Sequence, residues 1–350
     1  MRTAVLSASA AVPPVAPRAL ARLARGPVLA LLGRIARGRL VVIDGGSRRE
    51  FGQKSAAHPL VVTLVVHDPR FYSSLLTGGL IGAGESYARG DWSCDDLVTL
   101  VRLVARNREF LDASTSPLTR IAMPLHRLRH VLRRNSRAGS RRNIAHHYDL
   151  GDDFFALFLD ETMTYSCGVF EPPGCSLAEA STAKYERVCR KLRLAPGDRV
   201  LEIGGGWGGF AVHAASRHGC HVTTTTISER QYEYANRWIQ SAGLRDRVTV
   251  LLRDYRDLDG RFDKLASIEM IEAVGDGHLE AYFATCSRLL GPRGLLLVQA
   301  ITAPDRGYER YRRSVSFSQR YIFPGSLLPS VAVMNEAWGL HNHSTAFAIS

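Results

Sequence analysis

Residues 202–209, Glu-Ile-Gly-Gly-Gly-Trp-Gly-Gly, limit the folds open to this chain more than any other stretch. Five of the six positions from Gly204 to Gly209 are glycine. The strand-like segment Arg199 to Ile203 precedes them, and a helical pattern through Ala215 follows. A strand that turns into a helix through glycines is a ligand-holding corner, because the free N–H groups of the helix start face the strand end. The same alternation continues downstream. Cys220 to Thr226, Arg247 to Leu252, Phe262 to Ile268 and Leu295 to Ile301 read as strands. Glu229 to Ala242 and His278 to Leu290 read as helices. Strands and helices in turn predict an α/β fold with an open, doubly wound parallel sheet.

The glycine run also satisfies Gly-x-Gly-x-x-Gly, the dinucleotide fingerprint, so two cofactor classes compete for it. Glu202 stands two residues before the first glycine, at the ligand end of the strand. A carboxylate there repels a pyrophosphate and attracts a ligand that carries an ammonium and a sulfonium. The second strand ends in Thr226-Ile227-Ser228-Glu229-Arg230-Gln231, rich in hydroxyls with one candidate acid, which fits either ligand. Glu202 therefore favours S-adenosylmethionine over a nicotinamide dinucleotide.

Upstream, Leu40 to Ile43 with the turn Asp44-Gly45-Gly46 reads as a strand and hairpin, and Leu60 to Val66 as a buried strand. Phe71 to Leu80 and Leu97 to Val104 read as helices. These predict a small α+β domain over 39–112, between a basic segment 1–38 and an Arg-rich linker 113–143. The α/β domain fills 144–350. The net charge of +12 is segmental: residues 1–43 hold seven Arg and no acid, and residues 113–148 hold eight Arg and no acid. Such segments meet phosphates on a membrane or a nucleic acid. They lack interleaved aromatics, which argues against base stacking and so against a nucleic-acid partner. Arg18 to Arg39 fits a basic amphipathic helix on a membrane surface, broken at Gly26-Pro27. No run of about 18 uninterrupted apolar residues predicts a membrane span. Six cysteines without a Cys-x-x-Cys pair predict reduced, intracellular thiols and no metal site.

Several segments together resemble the cyclopropane-fatty-acyl-phospholipid synthases and the related mycolic-acid and fatty-acid methyltransferases. They are His147-Tyr148-Asp149-Leu150-Gly151, Met163-Thr164-Tyr165-Ser166-Cys167, Glu202 to Phe210, Ile271-Glu272-Ala273-Val274-Gly275, Tyr321 to Gly325 and Leu328-Pro329-Ser330. The resemblance implies a class I methyltransferase sheet preceded by a small α+β lipid-engaging domain. It implies transfer of a one-carbon unit from S-adenosylmethionine to the double bond of an unsaturated phospholipid acyl chain, giving a cyclopropane, at an anionic membrane. The enzyme would be cytoplasmic and bound peripherally to the inner face of the membrane, and the resemblance allows a homodimer. Tyr165 and Ser166 would contact the cofactor from a covering segment, and Gly204, Gly206 and Gly208 would pass under it. Thr226 and Gln231 would meet its ribose, and Asp254, Tyr255 and Arg256 would flank its adenine. Cys167, Glu272 and Ile301 match positions that hold bicarbonate, the active-site base.

The reaction accounts for these residue types. An alkene is a poor nucleophile and needs a strong electrophile in a dry pocket. Attack leaves a cation, which the faces of Tyr148 and Tyr165 can stabilise. A base then removes a proton, and its placement matters more than its strength. The chain departs from the family at two places. Many members carry His-Thr-Ile on the fifth strand, where this chain has Gln299-Ala300-Ile301; Gln bonds but cannot carry a proton. That leaves a methylene or methyl branch open beside the cyclopropane. After Ser330 the tail matches nothing expected, so the last strands of the sheet are predicted to be missing and the activity weak or lost. A nicotinamide-dependent oxidoreductase and an impaired lipid-binding remnant remain as alternatives.

Overall fold

The computed structural model describes residues 18–107, 139, 151–341 and 347–349. The chain divides into two compact units, one of residues 1–129 with 314–321 and one of residues 130–313 with 322–350.

In the first unit, α1 (Arg18–Leu32) leads into the hairpin β1 (Gly38–Asp44) and β2 (Ser47–Gln53). Gly45 and Gly46 take φ of 55° and 84°, the left-handed pair that a two-residue hairpin turn demands. There follow β3 (Val61–Val66), α2 (Arg70–Arg89), β4 (Trp92–Cys94) and α3 (Leu97–Arg106). The sheet runs β2-β1-β3-β4, with β3 parallel to β1 and the other neighbours antiparallel. Leu40, Val42, Val62 and Leu64 form its core with Ala24 and Val28 of α1 and Phe71 of α2. The sequence predicts a break at Gly26-Pro27, but α1 runs through Pro27. The buried Ala24 and Val28 hold that helix on the sheet on both sides of the proline. Asp44 ties the layers together, accepting from Arg25 Nε at 2.7 Å and from Tyr72 Oη at 2.8 Å.

The second unit is built on a six-stranded, wholly parallel sheet in the order β10-β9-β8-β5-β6-β7. Its helix α4 (Leu177–Leu192) opens with a capping box of Ser176 and Glu179. Then come β5 (Arg199–Ile203), α5 (Gly209–His218), β6 (His221–Thr226), α6 (Glu229–Ser241), β7 (Val248–Leu252), β8 (Phe262–Ile268), α7 (Leu279–Leu289), β9 (Leu290–Gln299), α8 (Val331–Gly339) and β10 (Phe347–Ile349). Alternation along each strand feeds two cores. Val200, Ala266 and Leu297 face α4, α5 and α6, where Val188, Phe210 and Ile239 pack. Leu201, Leu265, Leu296 and Val298 face α7 and α8, where Phe283 and Trp338 pack. This is the doubly wound sheet expected from the sequence, with β5 and β8 beginning and ending where predicted. β9 starts at Leu290, straight from the end of α7. At the edge where the sequence predicts no further strand, β10 pairs with Leu296–Val298.

Candidate functional site

Parallel strands bring their C-terminal ends to one edge, and the loops after β5, β6, β8 and β9 meet there. After β5, Gly204 N and Gly205 N both donate to Thr225 O at 3.0 Å, which folds the glycine run back over β6. Gly204, Gly206 and Gly208 all take positive φ, 85°, 55° and 99°. Glu202 lies on the α4–α6 face and is 2% exposed. Burial pushes its carboxyl up to about 7, with only Thr224 and the more distant Lys184 pulling it down. A buried, poorly compensated carboxylate at the strand end suits a cationic ligand.

After β6, Thr226 Oγ1 donates to Gln231 Oε1 at 2.7 Å. Gln231 is buried, and its Nε2 has no hydrogen-bond partner. An orphaned buried donor of this kind fits a ligand oxygen such as a ribose hydroxyl. Glu229, the candidate ribose acid of a dinucleotide site, is exposed in the first turn of α6. After β7, Asp254 and Arg256 close on each other, with Arg256 Nε to Oδ1 at 2.8 Å and Nη2 to Oδ2 at 2.6 Å. The Arg256 guanidinium lies 5.6 Å from the Tyr255 ring centre, and Tyr255 meets Tyr282 edge-on, also at 5.6 Å.

The expected base pocket assembles after β8 and β9. Glu272 Oε1 accepts from Ile301 N at 2.5 Å, while Oε2 is buried without a partner. Burial pushes the Glu272 carboxyl up to about 7, and the neighbouring Glu269 adds to the shift. Ile301 takes part through its backbone N–H, and the residue is 50% exposed. Gln299 Nε2 donates to Cys167 Sγ at 3.2 Å. Cys167 is exposed, and partial burial of its thiol together with Glu269 raises its pKa. Tyr165 stacks near Phe323 at 6.4 Å and meets Phe155 edge-on at 5.3 Å, forming an aromatic wall. Tyr148 lies outside the described residues.

Two further residues belong here that the sequence reading passed over. Glu269, just past β8, accepts from Cys167 N at 2.8 Å and from Gln299 Nε2 at 3.0 Å. Lys184 of α4 is 2% exposed and donates to Ser166 Oγ. Burial lowers its ammonium to about 8 against the pull of Glu269 and other acids. Its signal was its position: Ala180, Ser181, Tyr185 and Val188 share the same buried stripe. Among the described residues, Cys189, His213 and His218 place ligand atoms within 4.8 Å of one another. Both imidazole Nε2 atoms already meet Glu186 Oε2, at 3.3 and 3.0 Å, so that cluster is satisfied without an ion.

Comparison with known proteins gives a consistent picture. The family described as mycolic acid cyclopropane synthetase matches residues 135–346. Tuberculostearic acid methyltransferase UfaA1 of Mycobacterium tuberculosis is 38% identical, over 92% of this chain and 78% of that protein. Cyclopropane-fatty-acyl-phospholipid synthase of Escherichia coli is 37% identical, over 76% of this chain and 66% of that protein. Among solved structures, mycolic acid cyclopropane synthase CmaA1 complexed with SAH and CTAB aligns with a TM-score of 0.53 at 32% identity, covering 58% of this chain and 74% of that one.

Proposed function

The chain belongs to the mycolic acid cyclopropane synthetase family, and we propose that it transfers the methyl carbon of S-adenosylmethionine to the double bond of an unsaturated phospholipid acyl chain. The observation that carries this reading is Glu202, a carboxylate 2% exposed at the glycine corner, where a pyrophosphate would be repelled. S-adenosylmethionine supplies an electrophilic methyl group when bound. Glu202 and the glycine turn hold its cationic part, Thr226 and Gln231 its ribose, and Asp254, Tyr255 and Arg256 its adenine. Tyr165 and Ser166 close over it.

Tyr165, Phe155 and Phe323 line the acyl side with aromatic faces that stabilise a cation. Proton removal falls to the pocket of Cys167, Glu269, Glu272, Gln299 and the backbone of Ile301, where the family resemblance implies a bicarbonate base. Proton loss from the new methyl group closes a cyclopropane. The second product, a methylene or methyl branch, is favoured by the similarity to the tuberculostearic acid methyltransferase over 92% of the chain. Docking is peripheral, at anionic lipid; no helix among the described residues is long and apolar enough to cross a membrane.

The deciding experiment incubates the protein with S-adenosylmethionine, labelled in the methyl group, and vesicles of unsaturated phosphatidylglycerol. The recovered acyl chains are then read by mass spectrometry. Label in a cyclopropane or a branch supports the proposal. Binding of NAD without binding of S-adenosylmethionine would overturn it.

A further inference from the structure

We infer that the proton acceptor is the side chain of Glu269 itself, so that this chain runs the reaction without a bound bicarbonate ion. The inference rests on the one-carbon transfer proposed above.

An oxyanion in this pocket needs donors, and among the described residues those of Cys167, Gln299 and Ile301 are already engaged. Cys167 N donates to Glu269 Oε1 at 2.8 Å. Gln299 Nε2 is shared between Glu269 Oε1, at 3.0 Å, and Cys167 Sγ, at 3.2 Å. Ile301 N donates to Glu272 Oε1. A bicarbonate ion placed here would lie beside two carboxyl groups with its donors already engaged, and like charges at about 4 Å repel by roughly 1–4 kcal/mol. The Glu269 carboxylate occupies the hydrogen-bonding position that the small anion would need.

The backbone is arranged to hold it there. Glu269 takes φ of 47°, the left-handed region that a residue with a Cβ adopts at a cost. Its N–H donates to Gln299 O at 2.8 Å, so backbone and side chain are both fixed to the end of β9. Strain held by three hydrogen bonds at a strand end marks a side chain whose position matters. The bonds from Cys167 N and Gln299 Nε2 both fall on Oε1, and the Cys167 thiol also lies against this carboxylate, so Oε2 keeps lone pairs that neither of those two donors uses. Lys184 supplies the counter-charge; Glu269 is its strongest electrostatic attraction. Glu272 suits a different role, because its buried carboxyl, raised to about 7, is held part-protonated at neutral pH.

The step balances without another reactant. The alkene π pair bonds to the methyl carbon, and the carbon–sulfur pair leaves with sulfur as S-adenosylhomocysteine. The positive charge falls on the second alkene carbon. A methyl C–H pair then closes the third ring bond as its proton passes to Glu269 Oε2, leaving a neutral carboxylic acid that returns the proton to solvent. If the nearest proton is instead on the adjoining chain carbon, the same transfer gives a branched alkene. Oε2 would thus choose between the two products.

The test uses the full chain, labelled S-adenosylmethionine and unsaturated phosphatidylglycerol vesicles in carbon-dioxide-free buffer, with and without added bicarbonate. The wild-type rate is expected to change less than about twofold on adding bicarbonate. Glu269→Gln is expected to lower kcat by about 100-fold or more, while calorimetric affinity for S-adenosylmethionine stays within about threefold. Glu269→Gly, which suits the left-handed backbone and empties the carboxylate position, is expected to regain about tenfold in rate with bicarbonate. Glu269→Asp keeps a carboxylate and is expected to stay independent of bicarbonate. A wild-type rate that collapses without bicarbonate, or a Glu269→Gln variant that keeps more than a third of kcat, overturns the proposal. A wild-type chain that yields no labelled lipid under any condition overturns the transferase reading, and this inference with it.

Discussion

Thr224 Oγ1 donates to Glu202 Oε2 at 2.7 Å, across a β5–β6 pair in which the two residues stand directly opposite. A single neutral hydroxyl is weak compensation for a carboxylate taken out of water. The carboxyl is therefore held near 7, ready to ionise when a cation arrives. The glycine corner is thus an electrostatic device as well as a steric one.

Binding of S-adenosylmethionine should release protons. A nearby cation favours the ionised form and lowers the Glu202 pKa from about 7, so affinity rises with pH up to about 7 and then levels. Titration calorimetry near pH 6.5, in two buffers of different ionisation enthalpy, should show release of roughly half a proton per site. Uptake of protons, or none exchanged, would refute this account of Glu202.

Stability of the ligand-free protein should fall as pH rises from about 4.5 to about 7. Glu202 and Glu272 both have carboxyls raised from 4.5 to about 7 in the folded state. The folded chain then binds more protons than the unfolded one inside that window, so raising pH favours unfolding. The contribution is complete below the unfolded value and gone above the folded one, on the order of 1–3 kcal/mol for each group. Thermal melts should show Tm falling between pH 5 and 7.5, with a flatter profile in Glu202→Gln.

Lys184→Met should cost more than its size suggests. Methionine fits the volume, but the change leaves Glu202 and Glu269 without their buried counter-charge and Ser166 without its donor. Breaking a buried charge cluster costs about 3–5 kcal/mol. Urea unfolding at pH 7.5 should show that loss, shrinking at pH 5, where Glu202 is protonated. A loss that ignores pH would assign Lys184 a packing role only.

The sheet was legible because its strands are apolar runs separated by helical periodicity. β5 and β8 match the sequence reading at both ends, and β6 and β7 differ by one residue at their starts. Glu202 was legible because it sits at a fixed offset from glycines. Glu269 was not, because a polar residue after a strand ordinarily reads as a solvated loop. Its positive φ and its bonds to Cys167 and to Gln299, 30 residues on, draw it into the site. Lys184 was missed for a related reason: a charged residue on an apolar helical stripe is easily read as the edge of the stripe. The mutual closure of Asp254 and Arg256 needs the short turn between them, which sequence spacing alone does not reveal.

Gly205 and Gly206 should respond very differently to alanine, although they are neighbours in one motif. A Cβ on Gly205 would stand 1.8 Å from Thr224 Oγ1 and 2.9 Å from Glu202 Oε2. Thr224 would have to swing away, leaving Glu202 buried with no local donor. Lost bond and overpacking together predict about 2–5 kcal/mol of destabilisation and loss of cofactor binding. At Gly206 nothing lies within 4 Å of the added methyl group, and the cost is the left-handed φ of 55° alone. That is about 1–2 kcal/mol, with binding weakened but retained. Pairing Gly205→Ala with Thr224→Ala removes the colliding hydroxyl, so the double variant should recover part of the stability while the Glu202 carboxyl stays high. Chemical denaturation of the four proteins measures the coupling. Strict additivity of the two substitutions would mean that Gly205 is there for the ligand and not for the Thr224–Glu202 bond.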